Sequence, residues 1–187
     1  MRTFAEHFGH NLVGPFVVGL IIASAACGNS DPTTPTGPST PVQVSGTWGY
    51  TLRLTSASGG ECVGADLQNA AGLGDSGTLE LVQTGASLTA TVRSDLVPGA
   101  CSYSGTATTD SFALNLTRCE SGALQPGYVC SNGAIRDLEF TANQINATVS
   151  GANATGTSVE TYNVALANTG NRVGVLTLNW SFNAMRR

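Results

Sequence analysis

The side chains of this chain that could do chemistry are five cysteines, a few carboxylates and a scatter of aromatic rings. Cys62, Cys101, Cys119 and Cys130 form one group, and Cys27 stands apart from them near the start. An odd count leaves one cysteine without an internal partner, and its isolation makes Cys27 that one. Two histidines, His7 and His10, are all the imidazole the chain has, and it has no lysine. Past residue 10, then, neither a Ser-His-Asp nor a Cys-His nucleophile can be assembled. A histidine-based zinc site is excluded on the same ground. No catalytic residue, metal or cofactor is expected, and the chain does not read as an enzyme. Glu61, Asp66, Asp75, Asp95 and Glu120 cluster between apolar runs and read as solvated loop charges. A weak calcium site built from some of them is the sharper alternative. Gly72–Gly77, GLGDSG, has the spacing of a phosphate-binding turn but precedes a strand pattern instead of opening a helix, so it reads as a flexible turn.

Something must position those groups, and composition narrows the choice. Of 187 residues, 41% are hydrophobic and only 11% charged, with 23 glycines. The charged fraction is well below the roughly 25% of an ordinary soluble domain. Hydroxyls and amides must therefore do the solubilising, as in a turn-rich extracellular β domain. Net charge is −4 and no basic run exists, so binding to nucleic acid by phosphate neutralisation is not expected.

Arg2 opens the chain, and Leu12–Ala26, LVGPFVVGLIIASAA, is apolar and ends in small residues. That run is shorter than the ~20 residues of a membrane-spanning helix. A charged start, an apolar middle and a small-residue end describe a secretory signal over residues 1–26. Ala25, Ala26 and Cys27 resemble the lipobox of bacterial lipoproteins, with Ser24 where that motif usually has an aliphatic residue. The resemblance implies lipidation of Cys27 and a membrane anchor. Gly28, where an aspartate would retain the protein at the inner membrane, implies the outer membrane, facing the periplasm or the surface. Cleavage at Ala23-Ser24-Ala25, giving a secreted soluble protein, is the alternative. Residues 27–44 are rich in Pro, Thr and Ser and read as a tether.

From residue 45 to 187 the apolar period is two, the signature of strands. Trp48, Tyr50, Leu52 and Leu54 share one face of the first run. Hairpins are expected around Thr84-Gly85, Thr109-Asp110 and Asn143-Gln144, the last splitting IRDLEFTANQINATVSG into two strands. Gly64–Gly74 offers at most a short helical turn. About nine sequential runs result, which close as an antiparallel up-and-down meander β-barrel or pack as a β-sandwich. The meander is preferred because neighbouring runs are hairpin-linked.

In such a meander the tight turns fall at one end. The long connections, residues 56–76, 94–100 and 120–133, fall at the other, together with all four remaining cysteines. Two disulfides should pin that end in an oxidising compartment. Pairing Phe112, Leu114 and Leu116 with Ala107, Gly105 and Tyr103 keeps the apolar face together. A strict ladder in that register points Cys101 and Cys119 to opposite faces, which favours Cys62–Cys101 and Cys119–Cys130.

Gly46-Thr47-Trp48 resembles the Gly-x-Trp that opens the first strand of lipocalins and avidins, the calycin barrels, and GTLELVQTGASLTATV resembles a calycin hairpin. More closely, the whole stretch from Gly46 resembles an uncharacterised class of Thr/Gly-rich bacterial lipoproteins. The calycin likeness implies that Trp48 plugs the closed end and that an arginine of the last strand covers it. Arg186 shares a face with Trp180 and Phe182, yet nine strict alternations would carry it to the opposite end. Trp48, Tyr50, Tyr103, Tyr162 and Trp180 fall on inward faces, where they either line a ligand cavity or fill a core. The expected function is that of an envelope binding module, holding a small apolar ligand or a partner protein at its stapled end. A structural or interaction lipoprotein with a filled core is the alternative.

Overall fold

The computed structural model describes residues 39–70, 73–95, 99–120 and 124–187. Cys27, the leader and most of the tether lie outside the described residues. The domain is all-β, with one short helix, α1 (Cys62–Gln68). Its strands are β1 (Gly46–Gly59), β2 (Gly74–Thr84), β3 (Ser87–Ser94), β4 (Ala100–Ala107), β5 (Ser111–Cys119), β6 (Leu124–Val129), β7 (Ile135–Ser150), β8 (Asn153–Leu166) and β9 (Arg172–Arg186). Every pairing is antiparallel, in the order β5-β4-β3-β2-β1-β9-β8-β7-β6, and β5 also pairs with β7. That last ladder closes a barrel of eight strands and leaves β6 as a side strand on β7. The barrel, not the sandwich, is the architecture.

The count of nine is corrected at one strand. Residues 135–150 form a single strand, and Asn143-Gln144 is no turn. The inward positions there switch from Leu138 and Phe140 to Asn143, Ile145 and Ala147 because a bulge between Phe140 and Ala142 inserts one residue against β8. A bulge and a hairpin both reverse the apolar parity, so period alone does not separate them. Residues 124–129, assigned to a long connection, form β6 instead, and the helical turn expected after Gly64 begins earlier, as α1.

With eight strands, β1 begins and β9 ends at the same end. Trp48 is fully buried there, and the Arg186 guanidinium carbon lies 4.7 Å from its ring centroid. The calycin-derived expectation for this pair holds, and the objection from an odd strand count disappears. Trp48 donates its indole N–H to Val44 O at 2.9 Å, and Arg186 donates to Gln43 O. Gln83 accepts from Val44 N at 2.8 Å and donates to Val42 O at 3.0 Å. Val42–Val44, assigned to the tether by composition, are therefore part of the barrel's closed end. Val44 is as fully buried as the tryptophan it contacts. The core runs from this plug along Leu79, Leu81, Leu88, Phe112, Leu114 and Phe182.

The connections sort as expected at both remaining turns. Those after β2 and β4 are short and share the plugged end with the β7–β8 turn at Gly151-Ala152. All four cysteines lie at the other end, joined as Cys62–Cys130 and Cys101–Cys119. This overturns the expected pairing while keeping the register that led to it. Tyr103–Leu116, Gly105–Leu114 and Ala107–Phe112 are paired as predicted. A bulge between Ser102 and Tyr103 then shifts the ladder by one, so Cys101 comes to face Cys119.

Candidate functional site

Above the plug the barrel is hollow. A cavity of about 420 Å³ lies between the core layer and the stapled end. Its apolar wall comes from Leu52, Leu79, Phe140, Ile145 and Phe182. These are inward positions of strands on opposite sides of the barrel, as the alternating pattern requires. Cys101 and Cys119 border it, as do Leu124, Gln125 and Pro126 of β6. The β5–β7 ladder runs only from Ser111–Thr148 to Asn115–Gln144. Beyond it the two strands diverge, and residues past that point on both (Cys119, Phe140 and Asn143) line the cavity.

A compact polar group sits in this apolar wall. Glu160 of β8 points inward, on the same face as Ser158 and Tyr162. Its Oε2 accepts from Trp180 Nε1 at 2.9 Å and from the Tyr162 hydroxyl at 3.1 Å. Asn143 of β7 donates through Nδ2 to Ser158 Oγ at 2.9 Å, with a longer approach of 3.4 Å to Glu160 Oε1. Burial pushes the Glu160 carboxyl up to about 7; the two donated hydrogen bonds pull the other way, and the Asp75 charge adds to the rise. The same burial raises the hydroxyls of Tyr162, Tyr103 and Tyr50. Glu160 adds to the rise at all three, and for Tyr50 the nearer Asp75 contributes more.

Asp75 is the second carboxylate of the cavity. Its Oδ2 accepts from Tyr50 at 3.3 Å and its Oδ1 from Ser94 Oγ at 2.9 Å and Ser76 N at 2.7 Å. Gly77 lets this happen: a Cβ there would collide with Arg93 O and press on the Tyr50 hydroxyl.

The stapled end is tied by more than sulfur. Glu61 pairs with Arg136 at 2.7 Å, and Asp66 accepts from the Ser131 amide at 2.8 Å and hydroxyl at 2.6 Å. Those two hydrogen bonds hold the Asp66 carboxyl below its ordinary range. With Cys62–Cys130, they join α1 to the turn between β6 and β7. Gly64 packs α1 so tightly on β1 that a Cβ would strike Gly59 O.

Of the five aromatics expected inside, Tyr50, Tyr103 and Tyr162 line the cavity. Trp48 and Trp180 do not: the first is the plug, and the second lies behind Glu160 as its hydrogen-bond donor. Of the loop carboxylates, Asp75 faces inward, and Glu61 and Asp66 hold the staple region together. Asp95 accepts from Ser76 Oγ at 2.7 Å, and Glu120 accepts from Ala100 N at 3.3 Å. No grouping of acids, cysteines or histidines fit to hold a metal ion occurs among the described residues. Glu160 and Asn143 were missed by the sequence reading. Strand parity, which puts Glu160 on the face of Tyr162 and Val164, was the signal that could have found it, whereas Asn143 was hidden by the supposed turn.

The fold and the site together define a class: a closed, eight-stranded antiparallel barrel, plugged at one end, with a cavity toward the other. Comparison with known proteins adds no relative, since no family model, curated protein or solved structure matches the chain.

Proposed function

We propose that this domain is a non-catalytic binding module that holds one small, largely apolar molecule inside the barrel. The observation that carries the reading is the cavity of about 420 Å³. Ligand pockets typically run from about 300 to 1,000 Å³, with apolar walls and a few convergent polar groups. The alternative, an interaction protein with a filled core, requires an interior this barrel does not have. Entry is from the stapled end, where β5 and β7 part and β6 borders the opening. The lipobox-like Cys27 and the tether after it support placement at the cell envelope, with the barrel held off an outer membrane by a lipid anchor.

The cavity is tested with N-phenyl-1-naphthylamine, an uncharged apolar probe whose fluorescence rises on leaving water. Saturable one-to-one enhancement is expected, and loss of it in Val92→Phe, which places a ring in the cavity from a lining position. Surface binding that survives this substitution would remove the interior as the site. Native mass spectrometry of protein taken from its own host should show a retained small molecule. The anchor has its own test: Cys27→Ser should move the protein from the membrane to the soluble fraction, and an unchanged membrane fraction would end the lipid reading.

A further inference from the structure

Inside the barrel, carboxylate and amide groups gather on one stretch of the wall. Near Glu160, Tyr162 and Trp180 donate to its Oε2, and the Asn143 amide donates to Ser158 and Glu160 Oε1. Asn143 Oδ1 accepts nothing, although the residue is only 5% exposed and lines the cavity.

Two carboxylates, Glu160 and Asp75, line the cavity, and no basic side chain does. Lysine is absent from the chain, and residues 96–98 and 121–123 contain no arginine. Arg186 is committed to Trp48 and Arg136 to Glu61, while Arg53, Arg93, Arg118, Arg172 and Arg187 are exposed. The rings of Phe140 and Tyr162, 5.1 Å apart, also line the cavity, Tyr162 bonded to the carboxylate, and aromatic faces favour a cation.

We propose that the interior selects a small apolar molecule carrying a protonated amine, seated with its N–H groups on Glu160 and its apolar body against Leu52, Ile145 and Phe182. The proposal rests on the preceding reading that the cavity is a ligand site. It adds the chemical class. Burial keeps the Glu160 carboxyl near neutrality when the site is empty. An ammonium beside it would restore the carboxylate in the way a buried partner charge does.

The test is a matched series on one apolar body: 2-(1-naphthyl)ethylamine, 2-(1-naphthyl)ethanol and 1-naphthylacetate. Each is titrated calorimetrically at pH 8 into the full chain with its disulfides intact. The amine should bind at least about tenfold tighter than the alcohol, and the carboxylate weakest of the three. In Glu160→Gln the ratio of amine to alcohol affinity should collapse toward about one. Should that variant misfold, the wild-type ranking alone still decides. Equal binding of amine and alcohol, or tightest binding of the carboxylate, overturns the amine proposal and leaves the cavity reading standing. Binding of none of the three overturns both.

Discussion

Glu160 governs the behaviour of the site, because it is a carboxyl that burial raises to about 7 from 4.5. Asp75, Tyr50, Tyr103 and Tyr162 are the titratable groups around it. Between the unfolded and folded values the native protein keeps a proton that the unfolded chain has released. Stability from this group is thus fully present at acid pH and is lost as pH rises through about 7. Glu160→Gln removes that dependence. At pH 8 the variant should be more stable than the parent by on the order of 1–3 kcal/mol, and near pH 4.5 the difference should shrink, both read from urea unfolding. A second single-residue expectation concerns the plug. Trp48→Ala empties a fully buried site and should cost about 3–5 kcal/mol, whereas Arg186→Ala, which removes a cation lying on the ring, should cost about 1–2. The plug was legible only through the calycin likeness of Gly46-Thr47-Trp48, and the miscounted strand had put Arg186 at the wrong end. The acidic cluster was not. A glutamate at an inward strand position looks no different in sequence from one that the parity has misplaced, and only the partners Trp180, Tyr162 and Asn143, distant in sequence, distinguish the two.

At the scale of elements, the alternation of apolar residues located every barrel strand, but it began β8 late and ended β1 early, and it failed outright at two bulges. The split of β7 and the wrong cysteine pairing share that cause. The bulge at Phe140–Ala142 made one strand look like a hairpin, and the bulge at Ser102–Tyr103 reversed which cysteine faces which. A bulge adds one residue to one strand and leaves no compositional mark that a turn would not also leave. Strand β6 escaped for another reason: its Gln-Pro-Gly centre and exposed positions give no apolar face to read. The observed staples make a sharp expectation for peptide mapping under non-reducing conditions, which should recover Cys62 with Cys130 and Cys101 with Cys119. They also differ in reach, spanning 68 and 18 residues. On loop-entropy grounds, removing the longer one (Cys62→Ala with Cys130→Ala) should cost roughly 4 kcal/mol and the shorter roughly 3. The first pair also releases α1 from the β6–β7 turn, so it alone should accelerate hydrogen exchange across residues 62–68.

Across the whole barrel, the two ends divide the labour. At one end Val44, Trp48, Arg186 and the short turns make a dense, hydrogen-bonded floor, and the long connections stay away from it. At the other, two disulfides, an ion pair and the Asp66–Ser131 hydrogen bonds hold an irregular rim in place without filling the space beneath it. Rigid walls around an unfilled interior mean that a guest gains contacts without the barrel having to reorganise, so little of its binding energy goes into ordering the protein. Such a guest binds the folded chain alone and must stabilise it by mass action. At a concentration of 100 times Kd the gain is about 2.7 kcal/mol, which for a domain of this size raises Tm by about 5–10 °C. The uncharged naphthylamine probe should produce that shift in the parent protein and none in Val92→Phe, whose added ring occupies the same space. Reduction of both disulfides should lower the starting Tm and also weaken the probe's affinity, because the rim is then free to collapse inward. A parent protein whose Tm ignores saturating probe while its fluorescence still rises would show that the probe sits outside the barrel, where folding does not create the site.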